Sequence, residues 1–240
     1  MNINIKDKKI LIFGASSGIG SEIVKRCLEE GALVVGTFFR NPLSINDVRY
    51  RQYKCDVTIE DDVIFLFKEI KKSNLMIDVL IDCVGIINDS PIVSMKMSNW
   101  EKVIEVNLTG AFSVIKNAPS IMNNKESKII CVSSVMGIKG RKGQVNYSVS
   151  KAGLGMLVKV AAMELATENI AINIVCPGFI STKLNSGNVK KRQDAILESY
   201  LSIDKNLECF TNFVLYMISD FFSCVTGQTF IIDSRIERSL

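Results

Sequence analysis

The stretch KILIFGASSGIGSEIVKRCLEEGALVVGTFFR, residues 9–40, decides the fold. It opens on a short apolar run rich in isoleucine, the composition of a strand buried on both faces. The run ends at Gly14, and residues 21–30 then carry Ile23, Val24, Cys27 and Leu28 at helical spacing on one side. A second apolar run, 33–39, follows Gly31 after a very short connection. Strand, helix and strand in this order suit a parallel βαβ crossover unit.

The alternation continues outward from this unit. Further strands are expected at 52–55, 79–83, 128–133, 171–175 and 229–232, with helices at 60–72, 98–116, 147–167 and 207–219. Several strands are apolar without alternation, as strands covered on both faces are. The expectation is α/β: a single-domain Rossmann fold over residues 1–240, a doubly wound parallel sheet of about seven strands with helices on both faces. The least regular stretch, 178–202, follows a strand end, where open α/β sheets bind ligands. It reads either as a lid over a site or as an ordinary surface connection.

Composition bounds the function. With 48% hydrophobic and 22% charged residues, the 240-residue chain has the balance of a globular protein. No run approaches the ~18 uncharged apolar residues of a membrane span, so a soluble cytoplasmic protein is expected. The seven cysteines are widely spaced, with no Cys-x-x-Cys pair, and most read as buried thiols. Histidine is absent, which removes Ser-His-Asp and Cys-His catalysis and leaves a zinc site without its commonest nitrogen ligand. No metal is expected. The net charge is +4, and the compact basic clusters are Lys139, Arg141 and Lys142, and Lys190, Lys191 and Arg192. Without a nucleic-acid motif these read as solvated faces.

Gly14-Ala15-Ser16-Ser17-Gly18-Ile19-Gly20 sits where the first strand meets the first helix. Glycines there permit a tight turn and let backbone N–H groups approach a pyrophosphate at the positive end of the helix. In dinucleotide folds an acid at the end of the second strand holds the adenosine ribose 2′-hydroxyl. Here that strand ends Gly36-Thr37-Phe38-Phe39-Arg40, with no acid. Nothing repels a 2′-phosphate, and Arg40 offers it a charge-assisted contact, so NADP(H) is preferred over NAD(H).

Tyr147 and Lys151 stand four residues apart at the start of an expected helix, so both side chains leave one face. A tyrosine hydroxyl titrates near pH 10 in isolation, and acid/base work near neutrality needs a neighbouring cation that favours the phenolate. With no histidine available, a lysine-tuned tyrosine is the best acid in the chain.

Taken in order, Gly14-x-x-x-Gly18-x-Gly20, Asp56-Val57, Asn107-Leu108-Thr109-Gly110, Ser134, Tyr147-x-x-x-Lys151 and Pro177-Gly178-Phe179-Ile180 followed by Thr182 resemble the short-chain dehydrogenase/reductase family over nearly the whole chain. The resemblance implies roles for these residues. Tyr147 would exchange the proton at the substrate oxygen and Ser134, or its neighbour Ser133, would orient that oxygen. Lys151 would hold the nicotinamide ribose and perturb Tyr147. Asn107 would anchor a water linking Lys151 to solvent, or merely cap or kink its helix. Gly14, Ser16, Ser17, Gly18, Ile19 and Gly20 would line the pyrophosphate, with Arg40 at the ribose. Asp56 and Val57 would flank the adenine, with Gly85 near the adenosine. Pro177, Gly178, Ile180 and Thr182 would lie on the carboxamide side of the nicotinamide.

Three departures stand out: Asp82-Cys83-Val84-Gly85 in place of Asn-Asn-Ala-Gly, no Pro-x-Gly-Arg segment near 202–207, and Asp233-Ser234-Arg235 in place of Asp-Gly-Gly. Within the family the resemblance is strongest to 3-oxoacyl-[acyl-carrier-protein] reductases. It implies an NADPH-dependent ketoreductase acting on a carrier-bound 3-oxoacyl thioester, assembled as a homotetramer through the helix at 147–167. Lys125, Lys139, Arg141 and Lys142 are then expected to steer an acidic carrier, with Glu168 opposing it. The alternatives are a sugar, polyol or other secondary-alcohol dehydrogenase of the same family, and a non-catalytic dinucleotide binder.

Overall fold

The computed structural model describes residues 3–123, 126–181 and 189–235, with the backbone alone at 189–192. Its centre is a parallel sheet of seven strands in the order β3-β2-β1-β4-β5-β6-β7. These are β1 Lys9–Phe13, β2 Leu33–Phe38, β3 Tyr50–Lys54, β4 Val79–Asp82, β5 Ser127–Val132, β6 Ile170–Pro177 and β7 Thr229–Ile232. Each stands within one or two residues of its expected place. The helices are α1 Gly18–Glu29, α2 Glu60–Lys72, α3 Met97–Ile104, α4 Gly110–Asn117, α5 Met136–Lys139, α6 Val145–Leu165, α7 Val189–Glu198 and α8 Asn206–Ile218.

Alternation along β1 shows how the sheet joins two cores. Ile10 and Ile12 face one layer, with Val24 and Cys27 of α1 and Phe210 and Val214 of α8. Leu11 and Phe13 face the other, with Leu66 and Phe67 of α2, Val114 of α4 and Leu154 and Val158 of α6. These four apolar side chains of β1 are 0% exposed; burying such a chain contributes about 1.5–3 kcal/mol, so the central strands anchor both layers. Helix α2 shows why the helical reading succeeds. Acids fill its first turn and Lys71 and Lys72 its last, matching the helix dipole, and Asn74 at φ 55° ends it in the left-handed region. None of the described helices is long and apolar enough to cross a membrane.

Two expectations need correction. The helix expected over 98–116 is interrupted by a π-helical turn, Glu105–Thr109, between α3 and α4, because the Asn107 side chain bonds outside the helix. The stretch 178–202, read as irregular, contains α7. Its strongly basic first turn hides the pattern in the sequence, and its fixed points, such as Ala195 at 1% exposure, are set by tertiary contacts.

Strand order reverses at β1, which pairs with β2 on one side and β4 on the other. A crevice therefore opens at the carboxyl ends of β1 and β4, where α/β sheets of this topology bind ligands.

Candidate active site

At the end of β1 the chain turns through Gly14 at φ +72° and Gly18 at φ +54°, conformations that side chains resist. A Cβ at Gly20 would collide with the Gly14 carbonyl oxygen, so the loop closes tightly only with glycine there. Thr37, 2% exposed, ties the loop to β2: its Oγ1 accepts from Gly14 N at 3.2 Å and its carbonyl accepts from Ala15 N at 3.0 Å. Sequence reasoning missed Thr37, although a polar residue inside a buried strand signals a specific partner. Ser17, the N-cap of α1, makes no side-chain capping bond. The first N–H groups of α1, which have no partner within the helix, are thus left for a ligand anion. Ser16 and Ile19 lie half-buried on the same turn, and this cradle fits a pyrophosphate.

Beyond the end of β2, Arg40 is exposed, its guanidinium 5.5 Å from the centre of the Phe39 ring. After β3, Asp56 Oδ1 accepts from Thr58 N at 3.0 Å and from Thr58 Oγ1 at 2.7 Å. Val57 is 6% exposed, and a Cβ at Gly110 would come within 2.6 Å of its Cγ2.

Around β4, β5 and α6 the expected catalytic residues converge. Lys151 is 4% exposed, and its Nζ donates to Val132 O at 3.0 Å and Val84 O at 3.4 Å. A Cβ at Gly85 would stand 3.4 Å from that Nζ and 3.7 Å from Asn107 Oδ1, so Gly85 keeps space open beside both. Asn107, 1% exposed, accepts from Ile86 N at 2.8 Å and donates to Ile86 O at 3.0 Å and Ser150 Oγ at 3.1 Å. Both amide hydrogens are engaged. The side chain acts as a strut between the loop after β4 and α6, and it draws its own helix into the π turn. Ser150, unanticipated from sequence, completes the tie by donating to Tyr147 O at 2.7 Å.

Tyr147 is half-buried, one turn ahead of Lys151, and its N–H is received by Asn146 Oδ1 at 2.8 Å. Asn146 is fully buried and anchored to Asn88 O at 2.9 Å. The two serines after β5 separate clearly. Ser133 is buried and donates to Lys151 O at 3.2 Å. Ser134 is half-buried, its Oγ accepting from Met136 N at 3.1 Å, which leaves the hydroxyl proton available to a substrate oxygen. The opposite side is formed by the end of β6, where Gly178 N donates to Ile232 O at 2.8 Å and Ile180 is buried at 7% exposure. Thr182 and Lys125 lie outside the described residues, as do the side chains of Lys190, Lys191 and Arg192.

Asp82, standing where the family carries an amide, is buried with Oδ1 accepting from Val84 N at 3.0 Å. Burial raises its carboxyl above the usual range, and the Val84 N–H and Lys151 charge oppose that rise. Burial likewise pushes the Cys83 thiol far up, which keeps it protonated and unreactive.

Lys139 and Arg141, expected to meet an acidic carrier, face α7 instead. Arg141 pairs with Asp194 at 3.1 Å, and Lys139 Nζ lies 4.0 Å from Glu198. Both remain partly exposed at 28% and 27%, so part of each charge is engaged by α7.

The geometry agrees with comparisons to known proteins. A family model described as enoyl-(acyl carrier protein) reductase matches residues 14–234. The chain is 35% identical to a 3-oxoacyl-[acyl-carrier-protein] reductase of Thermotoga maritima, covering 98% of this chain and 99% of the relative. It is 33% identical to that of Buchnera aphidicola subsp. Schizaphis graminum, covering 95% and 96%. Among solved structures, a short chain dehydrogenase from Leptospira borgpetersenii with bound NAD+ superposes with a TM-score of 0.86 at 26% identity, over 97% of this chain and 93% of that one. With a glycine-turned first crossover, a lysine and tyrosine on one helix face, and this likeness along nearly its full length, the chain belongs to the short-chain dehydrogenase/reductase family and is a nicotinamide-dependent oxidoreductase.

Proposed function

We propose that the protein is an NADPH-dependent ketoreductase that reduces a 3-oxoacyl thioester, borne by an acyl-carrier protein, to the 3-hydroxyacyl form. The observation that carries this reading is the relation to 3-oxoacyl-[acyl-carrier-protein] reductases over nearly the whole of both chains, joined to an intact Ser134, Tyr147 and Lys151. When bound, the reduced nicotinamide supplies the hydride. Tyr147 gives its hydroxyl proton to the carbonyl oxygen as charge develops there, and Ser134 donates a hydrogen bond that orients the same oxygen. Lys151, held between two carbonyls, presents its remaining hydrogen to the ribose. The N–H groups opening α1 hold the pyrophosphate.

The preference for NADPH rests on the missing acid at the end of β2 and on exposed Arg40. Arg40→Ala is expected to weaken NADPH binding by ~10-fold or more, the worth of a charge-assisted bond, and to leave NADH nearly unchanged. Titration of the two cofactors by fluorescence decides this; equal losses, or a native preference for NADH, refute it.

Purified protein should oxidise NADPH with β-ketoacyl thioesters. Fast turnover of keto sugars or polyols, with no thioester activity, would establish the polyol-dehydrogenase alternative instead. Reduction of an enoyl thioester alone would favour the chemistry named by the family model.

A homotetramer is part of the proposal. Helix α6 exposes Met156 at 60%, Val160 at 41% and Met163 at 70%, and α4 adds Phe112 at 49%, an apolar surface of the kind that marks an interface. Light scattering at micromolar concentration should give four times the 26.6 kDa chain mass; a monomer contradicts it.

A further inference from the structure

We infer that Gln52, on the edge strand β3, is a positioning residue for the cofactor: it clamps the chain beyond β2 at Leu43 and so holds Arg40 at the adenosine ribose. The binding consequence rests on the NADPH reading; the clamp itself does not.

A side-chain amide carries a donor and an acceptor side by side, as an extended backbone does. Gln52 uses both on one residue. Its Oε1 accepts from Leu43 N at 2.9 Å, and its Nε2 donates to Leu43 O at 2.9 Å. Residues 42–47 belong to no strand, so this pair of bonds fixes a stretch that no sheet ladder holds. The Leu43 side chain secures the same point, packed with Ile45 and Tyr50 against the core layer of α1.

Gln52 is itself held from two sides. Its backbone stands in register with Gly36 of β2, and Tyr50, two residues earlier on the same face of β3, places its hydroxyl 3.5 Å from Gln52 Oε1. Gly36 makes room for that ring, since a Cβ there would stand 2.5 Å from the Tyr50 hydroxyl and 2.8 Å from the Ala15 Cβ. Contacts therefore run from the pyrophosphate turn at Ala15, past Gly36 and Tyr50, to Gln52 and Leu43. The segment that follows Arg40 is tied to the turn that receives the pyrophosphate.

Two arginines flank this segment, and their surroundings differ. Arg49 is engaged by Asp47, with Nε 3.0 Å from Oδ1 and Nη2 2.6 Å from Oδ2, which closes the return into β3. Arg40 rests near the Phe39 ring, and among the described residues no carboxylate pairs with it. Its guanidinium is thus open to an anion, while the fixed point at Leu43, three residues on, limits how far it can drift. A phosphate contact made by a segment already in place avoids the ordering cost that a loose loop meets on binding.

The test compares wild type with Gln52→Met, Arg40→Ala and the double variant, each as the full chain. Methionine keeps the length of glutamine and removes both hydrogen bonds. Hydrogen exchange without cofactor should be faster at Leu43, whose N–H loses its acceptor, while exchange over β3 and the thermal midpoint stay as in wild type. In fluorescence titrations Gln52→Met should raise Kd for NADPH about fivefold and leave Kd for NADH within about twofold. Added to Arg40→Ala it should cause no further loss for NADPH, because it acts through that residue. Gln52→Asn, too short to span both Leu43 groups, should repeat the pattern, and it decides the matter if the methionine variant does not fold.

Unchanged exchange at Leu43 overturns the clamp. Equal weakening of NADPH and NADH, or losses that add in the double variant, overturn the positioning of Arg40. Should Arg40→Ala leave NADPH binding unchanged, the NADPH reading fails, and exchange at Leu43 still decides the clamp.

Discussion

Tyr147→Phe is expected to lower turnover by ~100-fold or more while leaving fold and NADPH binding intact. The substitution removes one oxygen from a half-buried ring that packs against the core under α6. Its backbone anchor, the bond from Tyr147 N to Asn146 Oδ1 at 2.8 Å, does not involve the ring, and neither does the bond from Ser150 to Tyr147 O. The α6 frame that holds Lys151 therefore survives. What disappears is the proton for the substrate oxygen, and Ser134, a far weaker acid, cannot replace it. Single-turnover oxidation of NADPH measures the loss, with cofactor affinity and the thermal midpoint as controls. Turnover near the wild-type value would sink the assignment of Tyr147 as the proton donor.

Lys151→Ala should act on two parameters together: kcat falls by ~100-fold or more, and NADPH binding weakens by ~10-fold or more, the range of a lost charged hydrogen bond. A structural cost comes with it, because the ammonium is 4% exposed and serves Val132 O and Val84 O at 3.0 and 3.4 Å. Leaving those carbonyls unpaired costs about 1–3 kcal/mol of stability. Lys151→Met separates the effects, since it fills the space but offers neither charge nor donor. If its kcat and cofactor affinity match those of the alanine variant, the chemical losses belong to the ammonium. A variant in which only one of the two parameters moves shows that Lys151 does not serve both cofactor and proton transfer.

Much of the site was legible because its signals are local. Gly14, Gly18 and Gly20 announce a turn that only glycine can make, and Tyr147 with Lys151 share a face by helical spacing alone. The partners that hold those residues were not legible. Thr37 and Ser150 look like any polar residue in a strand or helix until the fold brings Gly14 to one and Asn107 to the other. Ser133 and Ser134 are indistinguishable as adjacent letters; the end of β5 turns one hydroxyl onto Lys151 O and leaves the other in the crevice.

Sequence by itself determined the order of elements, the parallel sheet and the candidate residues that the fold brings to one crevice. Hydrophobic periodicity and glycine conformation act over a few residues, so the chain states them directly. Tertiary structure decided the π turn at Asn107, the helix within 178–202, and the pairing of Arg141 with Asp194 and of Lys139 with Glu198. These depend on which side chains meet across 20 to more than 50 positions of chain. A charge or an amide carries no mark of its partner until the sheet has closed the distance between them.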